Sequence, residues 1–213
     1  AAHMPSDCPF ESGPAEEIAR VCDVAVAIGG DGTMLGAARA MAAYKVPVIG
    51  INAGRLGFIT DIVLEDMNRL LPAMLLGQYV ADERSMLEGS VWREDNLLFE
   101  GLAVNDIGIS HGRALGMVEY TVYVDGLQMA VQRADGVLVS TATGSTAYAM
   151  AAGGPIMHPS VSSMLLVPIA PHTLSNRPIV LGSHTKIDIE VNETRSAVAS
   201  FDAQVLIDVQ AGD

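Results

Sequence analysis

The feature that most constrains the fold is an apolar run that ends in closely spaced glycines. Val24 to Ile28 is the apolar run, and Gly29-Gly30-Asp31-Gly32-Thr33 follows it directly. Met34 to Ala43 is rich in Ala and predicts a helix, and Val46 to Ile51 is a second apolar run. Two such strands joined through a helix form a βαβ unit, which predicts a parallel sheet with strands buried on both faces.

Two further helices belong to this first region. Pro14 followed by Ala15 to Arg20, with acids in the first turn, is typical of a helix start, and residues 64–76 predict another helix. Two strands make a poor sheet, so we expect this α/β part to be incomplete.

The pattern changes after about residue 77 to short β-like segments between turn signals. Tyr120 to Val124, then Asp125-Gly126, then Leu127 to Gln132 predicts a hairpin with a two-residue primed turn. We therefore predict two domains, an α/β nucleotide-binding domain at 1–77 and a mostly antiparallel β domain at 78–213. Further strands are predicted at residues 103–110, 136–140, 186–190 and 205–209, and an Ala-rich helix starts near Thr146.

Charge and composition exclude several classes of protein. The formal net charge is −13, which argues against a nucleic-acid partner because binding phosphates needs clustered Lys and Arg. No apolar run approaches the roughly 20 residues that a membrane helix needs. The two cysteines, Cys8 and Cys22, form no disulfide framework. We expect a cytoplasmic protein.

The glycine loop at 29–33 is the first candidate site. It lies at the carboxyl end of a strand and opens a helix, where open α/β sheets bind ligands and backbone N–H groups face an anion. Asp31 adds a negative charge there, which is explained if it holds a metal or accepts a proton from an attacking hydroxyl. The alternative is a tight turn with Asp31 as a helix N-cap.

The loop after the second strand, Gly50 to Asp61, is expected to lie beside the first. Phe58 can stack on a base and Arg55 can pair with phosphate. The alternatives are that Phe58 packs beneath the loop and that Arg55 is a solvated charge.

Two polar segments follow in the β region. Asn105-Asp106 can hydrogen-bond ribose hydroxyls, with an Asx turn as the alternative. Residues 140–148 hold five Ser and Thr residues in nine positions, which suits phosphate and ribose oxygens better than capping alone. Just before them, Asp135 can accept from an exocyclic amine and Arg133 offers a cation.

Taken in order, these segments resemble the NAD kinase (ATP-NAD kinase) family. The resemblance covers nearly the whole chain from about Val21. It includes the GGDGT loop, Gly-x-Leu-Gly-Phe at 54–58, Asn105-Asp106, residues 133–148 and a late Phe-Asp-x-Gln at 201–204. A GGDG loop alone is weakly specific, because diacylglycerol kinases and phosphofructokinases carry similar loops.

The resemblance implies phosphoryl transfer from ATP (or polyphosphate) to the adenosine-ribose 2′-hydroxyl of NAD, with Mg²⁺ and a homodimer or homotetramer. Asp31 would accept the proton of that hydroxyl. Gly29, Gly30, Gly32 and Thr33 would bind the ATP phosphates. The implied NAD-binding residues are Asp31, Gly32, Phe58, Asn105, Asp106, Arg133, Asp135, Thr143, Thr146, Ala147, Tyr148, Ala151 and Gln204. Ala151 stands where a ligand-contacting Ser is common.

Two other functions stay open at this point. One is a lipid kinase that shares the GGDG loop, against which the acidic composition argues because it leaves no basic membrane-facing surface. The other is a non-catalytic fragment that binds NAD or NADP.

Overall fold

A computed structural model of the chain describes residues 12–54, 57–60, 62–112, 116–173 and 176–213. The chain divides into two compact units, Ala1–Val80 and Ala81–Asp213. Within the described ranges, no helix combines the length and the apolar character needed to cross a membrane.

The first unit contains a three-stranded parallel sheet with helices. Its elements are α1 (Ala15–Ala19), β1 (Ala25–Gly29), α2 (Asp31–Ala42), β2 (Val48–Asn52), β3 (Ile62–Val63), a 3₁₀ turn (Leu64–Asp66) and α3 (Met67–Leu75). The strand order is β1-β2-β3, and both pairings are parallel. The predicted βαβ unit is therefore confirmed, whereas β3 has only two residues and no recognisable pattern of its own.

Helix α2 begins earlier than the sequence pattern predicts. Gly30 occupies the N-cap position in an extended conformation, and its carbonyl oxygen accepts from the N–H groups of Thr33 at 3.0 Å and Met34 at 3.2 Å. Asp31 is thus the first residue of the helix. The strand passes into the helix through Gly30, without a loop of several residues.

One face of β1 is covered and the other is not. Ala27 is buried, while its neighbours Val26 and Ile28 are 38% and 52% exposed. Successive side chains of a strand point to opposite faces, and α2, which connects β1 to β2, packs against the sheet. The prediction that this strand is buried on both faces is wrong for the described residues.

The second unit is a set of antiparallel sheets. Its strands are β4 (Leu87–Arg93), β5 (Asn96–Ala103), β6 (Asp106–His111), β7 (Val118–Val124), β8 (Leu127–Ala134), β9 (Gly136–Thr141), β10 (Ser163–Ile169), β11 (Ile179–Gly182), β12 (Ile187–Glu193), β13 (Ala197–Phe201) and β14 (Val205–Val209). A 3₁₀ turn (Thr143–Thr146) and the short α4 (Tyr148–Ala151) follow β9.

The largest sheet has the strand order β11-β10-β9-β6-β13-β14. The unit also contains a three-stranded sheet with the order β12-β7-β8 and the two-stranded hairpin β4-β5. Every strand pair of this unit is antiparallel. The predicted mostly antiparallel β region is therefore confirmed.

The predicted hairpin is also present. Val124 pairs with Leu127 across the two-residue turn. Asp125 and Gly126 both have positive φ, at 50° and 78°, which is the conformation of a primed turn. Asp and Gly suit it because they tolerate left-handed backbone.

The single strand predicted at residues 103–110 is divided between two strands in the structure. Residues 103–110 divide into the end of β5 and the start of β6, with Val104 and Asn105 between them. The break lies next to the apolar core, in which Tyr120 and Phe201 are among the largest fully buried side chains. Phe201 packs edge-on against Phe99, with ring centroids 4.9 Å apart. The strand ends at 103 because the N–H groups of residues 104 to 106 bond to a side chain instead of a neighbouring strand.

Candidate functional site

The carboxylate of Asp31 is held by the loop after β2. Its Oδ2 accepts from the Phe58 N–H at 2.9 Å, and its Oδ1 accepts from the Ile59 N–H at 3.4 Å and the Thr60 hydroxyl at 3.3 Å. Gly30 is the N-cap of α2, and among the described residues no side chain caps the helix. The alternative that Asp31 is an N-cap is therefore wrong. Its carboxylate instead connects the start of α2 to residues 58–60.

A buried pair of polar side chains, Asn52 and Thr60, stabilises the contact between Asp31 and residues 58–60. Asn52 and Thr60 are 3% and 1% exposed. The Asn52 amide nitrogen donates to the Thr60 hydroxyl at 2.9 Å, and the Asn52 amide oxygen accepts from the Gly54 N–H at 2.8 Å. Asn52 is opposite Gly29 in the parallel pairing, so the two strand ends meet at one edge of the sheet.

The sequence interpretation missed Asn52 and Thr60. The only signal for Asn52 is a polar residue at the carboxyl end of an apolar run, where parallel sheets bind ligands. Thr60 carries no local signal, because its partners Asn52 and Asp31 are distant in the chain.

Two glycines of this region are required by close packing. A Cβ atom on Gly29 would overlap the Thr33 side chain, and a Cβ atom on Gly57 would overlap the Asp31 carboxylate. Gly30, Gly32 and Thr33 are exposed at the start of α2. A helix start with small, exposed residues lets an anionic group approach the positive end of the helix dipole.

Phe58 is 70% exposed. The alternative that it packs beneath the loop is therefore wrong, and its ring is accessible for stacking. Arg55, the predicted phosphate partner, lies outside the described residues, as does Asp61.

In the second unit, Asn105 presents an unsatisfied acceptor. Its Oδ1 is buried and has no hydrogen-bond partner among the described residues. An Asx turn would use this oxygen as an acceptor, so that alternative is wrong for Asn105. Buried polar atoms in native proteins are nearly always hydrogen-bonded, so this oxygen is a candidate acceptor for a ligand.

Asp106, the next residue, is 6% exposed. Burial first, and then the nearby negative charge of Asp202, together raise the pKa of its carboxyl to about 6. Such a carboxyl binds a hydroxyl either as acceptor or, when protonated, as donor.

The hydroxyl-rich run lies beside this pair, since Asp106 is opposite Ser140 in the β6–β9 pairing. All five of its Ser and Thr hydroxyls form hydrogen bonds inside the protein. Ser140 donates to the Asn105 carbonyl at 3.2 Å, Thr141 to the Val104 carbonyl at 2.6 Å, and Ser145 to the Ala142 carbonyl at 2.6 Å. These three side chains are buried. The sequence pattern indicated a ligand site, whereas these hydroxyls stabilise the fold through hydrogen bonds within the protein.

The 3₁₀ turn after β9 packs closely on Asn105. A Cβ atom on Gly144 would overlap the Asn105 backbone, and the Gly144 N–H donates to the Thr141 hydroxyl at 2.9 Å. Thr143 accepts from Arg84 at 3.3 Å, and Thr146 donates to the Thr143 carbonyl at 3.2 Å. Asn105, Asp106, Thr143 and Thr146 are thus brought together.

The last three predicted residues of this group are accessible. Ala147 is half-buried, Tyr148 is 49% exposed and Ala151 is exposed. All three follow Thr146 directly along the 3₁₀ turn and α4.

Arg133 and Asp135 lie apart from that group. They precede β9, whose far end carries the hydroxyl run, and β9 has six residues, or roughly 17–20 Å. Arg133 is exposed and Asp135 half-buried. The β6–β9 pairing therefore does not bring these two residues next to Asn105, since Asp106 is opposite Ser140 and Ser110 is opposite Gly136. Gln204 is exposed in the turn between β13 and β14.

No cluster of three or more His, Cys, Asp or Glu side chains able to hold a metal ion occurs in the ranges that the structure describes. Mg²⁺ in phosphoryl-transfer sites is often held by one or two carboxylates together with substrate phosphates. Asp31, at the start of α2, offers one carboxylate of that kind. The donor set fits a Mg²⁺ ion that is bound mainly by the nucleotide.

Comparison with known families adds independent support. The model of the ATP-NAD kinase C-terminal domain matches residues 104–213, and that of the ATP-NAD kinase N-terminal domain matches residues 10–79. Among curated relatives, the NAD kinase of Cupriavidus pinatubonensis is 56% identical over 93% of this chain and 65% of its own length. The NAD kinase of a Polaromonas species is 49% identical over 96% of this chain and 70% of its own length. The chain spans about two thirds of the length of these relatives.

Solved structures resemble the chain as well. Yeast NADH kinase in complex with NADH has a TM-score of 0.85 at 31% identity, and the match covers 94% of this chain and 58% of the yeast chain. An NAD kinase from Archaeoglobus fulgidus in complex with ATP has a TM-score of 0.79 at 31% identity, with 93% of this chain and 75% of the archaeal chain covered.

Proposed function

The chain belongs to the NAD kinase family, and on this premise we propose that it transfers the γ-phosphoryl group of ATP to the 2′-hydroxyl of the adenosine ribose of NAD, which gives NADP. Polyphosphate is the alternative donor. The enzyme is then a phosphotransferase with an alcohol group as acceptor.

The observation that carries the proposal is the environment of Asp31. A carboxylate directly after a glycine-rich strand end, held by two N–H groups and one hydroxyl from residues 58–60, is oriented before any substrate arrives. In the proposed reaction the ribose 2′-hydroxyl oxygen attacks the γ-phosphorus of ATP, the Asp31 carboxylate accepts the hydroxyl proton, and the bond to the β–γ bridging oxygen breaks to release ADP. General-base assistance of this kind contributes roughly 10²- to 10⁴-fold in rate.

The proposed NAD-binding residues include Phe58 and several residues of the second unit. Asn105 carries the strongest support, because its buried Oδ1 lacks a partner among the described residues and a ribose hydroxyl can donate to it. Asp106 accepts or donates beside it. The remaining proposed contacts are Arg133, Asp135, Thr143, Thr146, Ala147, Tyr148, Ala151 and Gln204, together with Asp31 and Gly32.

The ATP phosphates are assigned to the start of α2. The proposed contacts are Gly29, at the end of β1, and the exposed residues Gly30, Gly32 and Thr33, and the helix dipole favours negative charge there. Mg²⁺, held mainly by the nucleotide phosphates, would neutralise the phosphoryl charge that develops during transfer.

Three broader expectations also remain proposals. They are a homodimer or homotetramer, a cytoplasmic location, and two domains, of which residues 1–77 bind the nucleotide and residues 78–213 bind NAD.

A coupled assay for NADP formation with ATP and Mg²⁺ tests the function, with phosphate transfer to diacylglycerol measured in parallel. We expect NADP formation and no lipid phosphorylation. Turnover of the lipid alone would overturn the assignment. NAD binding by calorimetry, without ATP-dependent NADP formation at any Mg²⁺ concentration, would indicate a non-catalytic dinucleotide-binding protein instead.

A further inference from the structure

The carboxylate of Asp202 contacts the segment that carries Asn105 and Asp106. Its Oδ1 accepts from the N–H groups of Asn105 at 2.7 Å and Asp106 at 3.2 Å, and its Oδ2 accepts from the Val104 N–H at 3.0 Å. The Asp202 N–H donates in return to the Asp106 carbonyl oxygen at 2.9 Å. Four hydrogen bonds thus join two segments that are far apart in the sequence.

These bonds replace a strand ladder. Val104 and Asn105 lie in the break between β5 and β6, and the N–H groups of 104 to 106 have Asp202 as their partner. A buried N–H without a partner is costly. Because an ionised carboxylate accepts several hydrogen bonds and its charge strengthens each of them, one side chain can satisfy all three donors.

The backbone at Asp202 limits which residues fit there. Asp202 is 6% exposed and has φ of 51°, and the next residue, Ala203, has φ of 53°. Asp, Asn and Gly tolerate this left-handed conformation better than other residues. The turn conformation therefore accounts for a small or polar residue at 202, but it does not require a carboxylate.

The two residues that Asp202 holds give a reason for a carboxylate at this position. Asn105 and Asp106 project from the backbone that Asp202 holds, and Asn105 Oδ1 is buried without a partner among the described residues. We infer that Asp202 is a positioning residue, which holds Asn105 and Asp106 in the orientation that binds the dinucleotide without contacting the ligand itself. The identity of the ligand rests on the proposed function.

Two glycine variants in the same turn form a matched test. Asp202→Gly and Ala203→Gly both place glycine at a left-handed position, and only Asp202→Gly removes the carboxylate. We expect Asp202→Gly to raise the KM for NAD by at least ~10-fold, with the KM for ATP within about twofold of wild type. Ala203→Gly should leave both constants near wild type. Asp202→Asn, which retains one acceptor oxygen, should give an intermediate KM for NAD.

Two results would overturn the inference. One is a KM for NAD that is equal in the two glycine variants, and the other is an equal rise in both KM values, which indicates general destabilisation. Amide hydrogen exchange gives a readout that does not depend on turnover. The amides of 104 to 106 should exchange faster in Asp202→Gly than in Ala203→Gly, and equal rates would also overturn the inference.

Absence of NADP formation by the wild-type chain would count against the proposed function alone. The exchange comparison would then still decide whether Asp202 holds this segment.

Discussion

The Asp31 carboxylate lies in the space that a side chain on residue 57 would fill. A Cβ atom built on Gly57 overlaps the carboxylate, and the next residue, Phe58, donates its N–H to Asp31 at 2.9 Å. The absence of a side chain at 57 is therefore what allows the acid and the loop backbone to meet.

This relationship predicts the effect of Gly57→Ala. The added methyl group forces the Asp31 carboxylate or the loop to move, and a displacement of about 1 Å at a reacting group can cost roughly 10²-fold in rate. We expect kcat for NADP formation to fall by roughly 10- to 100-fold.

Gly54→Ala is the matched control, because no atom of a non-adjacent described residue lies within 4 Å of a Cβ built there. It should retain most of the activity. Equal losses in the two variants would mean that the loop is sensitive to alanine in general and that the Asp31 contact is not the cause.

Asp31→Asn tests the role of the carboxylate directly. Asn retains the size and an acceptor oxygen for the Phe58 N–H, but it cannot take up a proton. We expect kcat to fall by at least ~10²-fold with the affinity for NAD little changed, as measured by steady-state kinetics and calorimetry. Asp23→Asn, at an exposed position of the same unit, controls for the change in charge. A kcat near wild type in Asp31→Asn would place the general base elsewhere.

Thr60 is predicted to orient Asp31 through its hydroxyl. Thr60→Val removes the donor to Asp31 and the acceptor for the Asn52 amide, at a site that is 1% exposed. We expect the free energy of unfolding to fall by roughly 1–3 kcal/mol and kcat to fall by about 10-fold.

Thr60→Ser is the paired variant, since it keeps the hydroxyl and loses only the methyl group. Urea unfolding and the NADP assay should show Ser closer to wild type than Val in both stability and kcat. If Val were the milder substitution, methyl packing would be the main role of Thr60.

The raised pKa of the Asp106 carboxyl predicts that the free energy of unfolding depends on pH. The pKa of its carboxyl is raised from 3.8 to about 6 in the folded chain, first by burial and then by the charge of Asp202. Below about pH 4 both the folded and unfolded states hold the proton, so the residue makes no difference to stability. As the pH rises from about 4 to 6 the unfolded state ionises first, and the folded state loses stability until the penalty is complete above about pH 6.

Asp106→Asn removes this penalty. Since one unit of pKa shift corresponds to about 1.4 kcal/mol, the variant should be more stable than wild type by up to about 3 kcal/mol at about pH 8. The difference should shrink towards about pH 4, as measured by urea unfolding across this range. Asp208→Asn, at an exposed position of β14, controls for net charge. A difference that stayed constant with pH would contradict the shifted pKa.

The order of elements could be predicted because its signals are local. The apolar runs, the glycines between β1 and α2 and the Asp125-Gly126 turn each define a conformation over a few neighbouring residues. Asn52, Thr60 and Asp202 were not predicted as site residues, because the hydrogen bonds that place them at the site join residues 8 to 98 positions apart.

The hydroxyl run at 140–148 shows the limit of composition as evidence. Five Ser and Thr hydroxyls in one segment indicated a ligand site, yet Ser140, Thr141 and Ser145 are buried and bond to carbonyl groups of the protein. Asn105, which an Asx turn would have explained, has the buried oxygen that lacks a partner in the described part of the chain.

The sequence by itself determined the family, the βαβ unit around the glycine loop, the antiparallel β region and the candidate residues. The physical reason is that hydrophobic period, turn chemistry and motif order are properties of neighbouring residues. Only the tertiary structure decided which of those polar side chains serve the fold and which remain available for a ligand. Burial and hydrogen-bond partners depend on chain segments that meet only after folding, as Asp202 meets Asn105 and Asp31 meets Phe58.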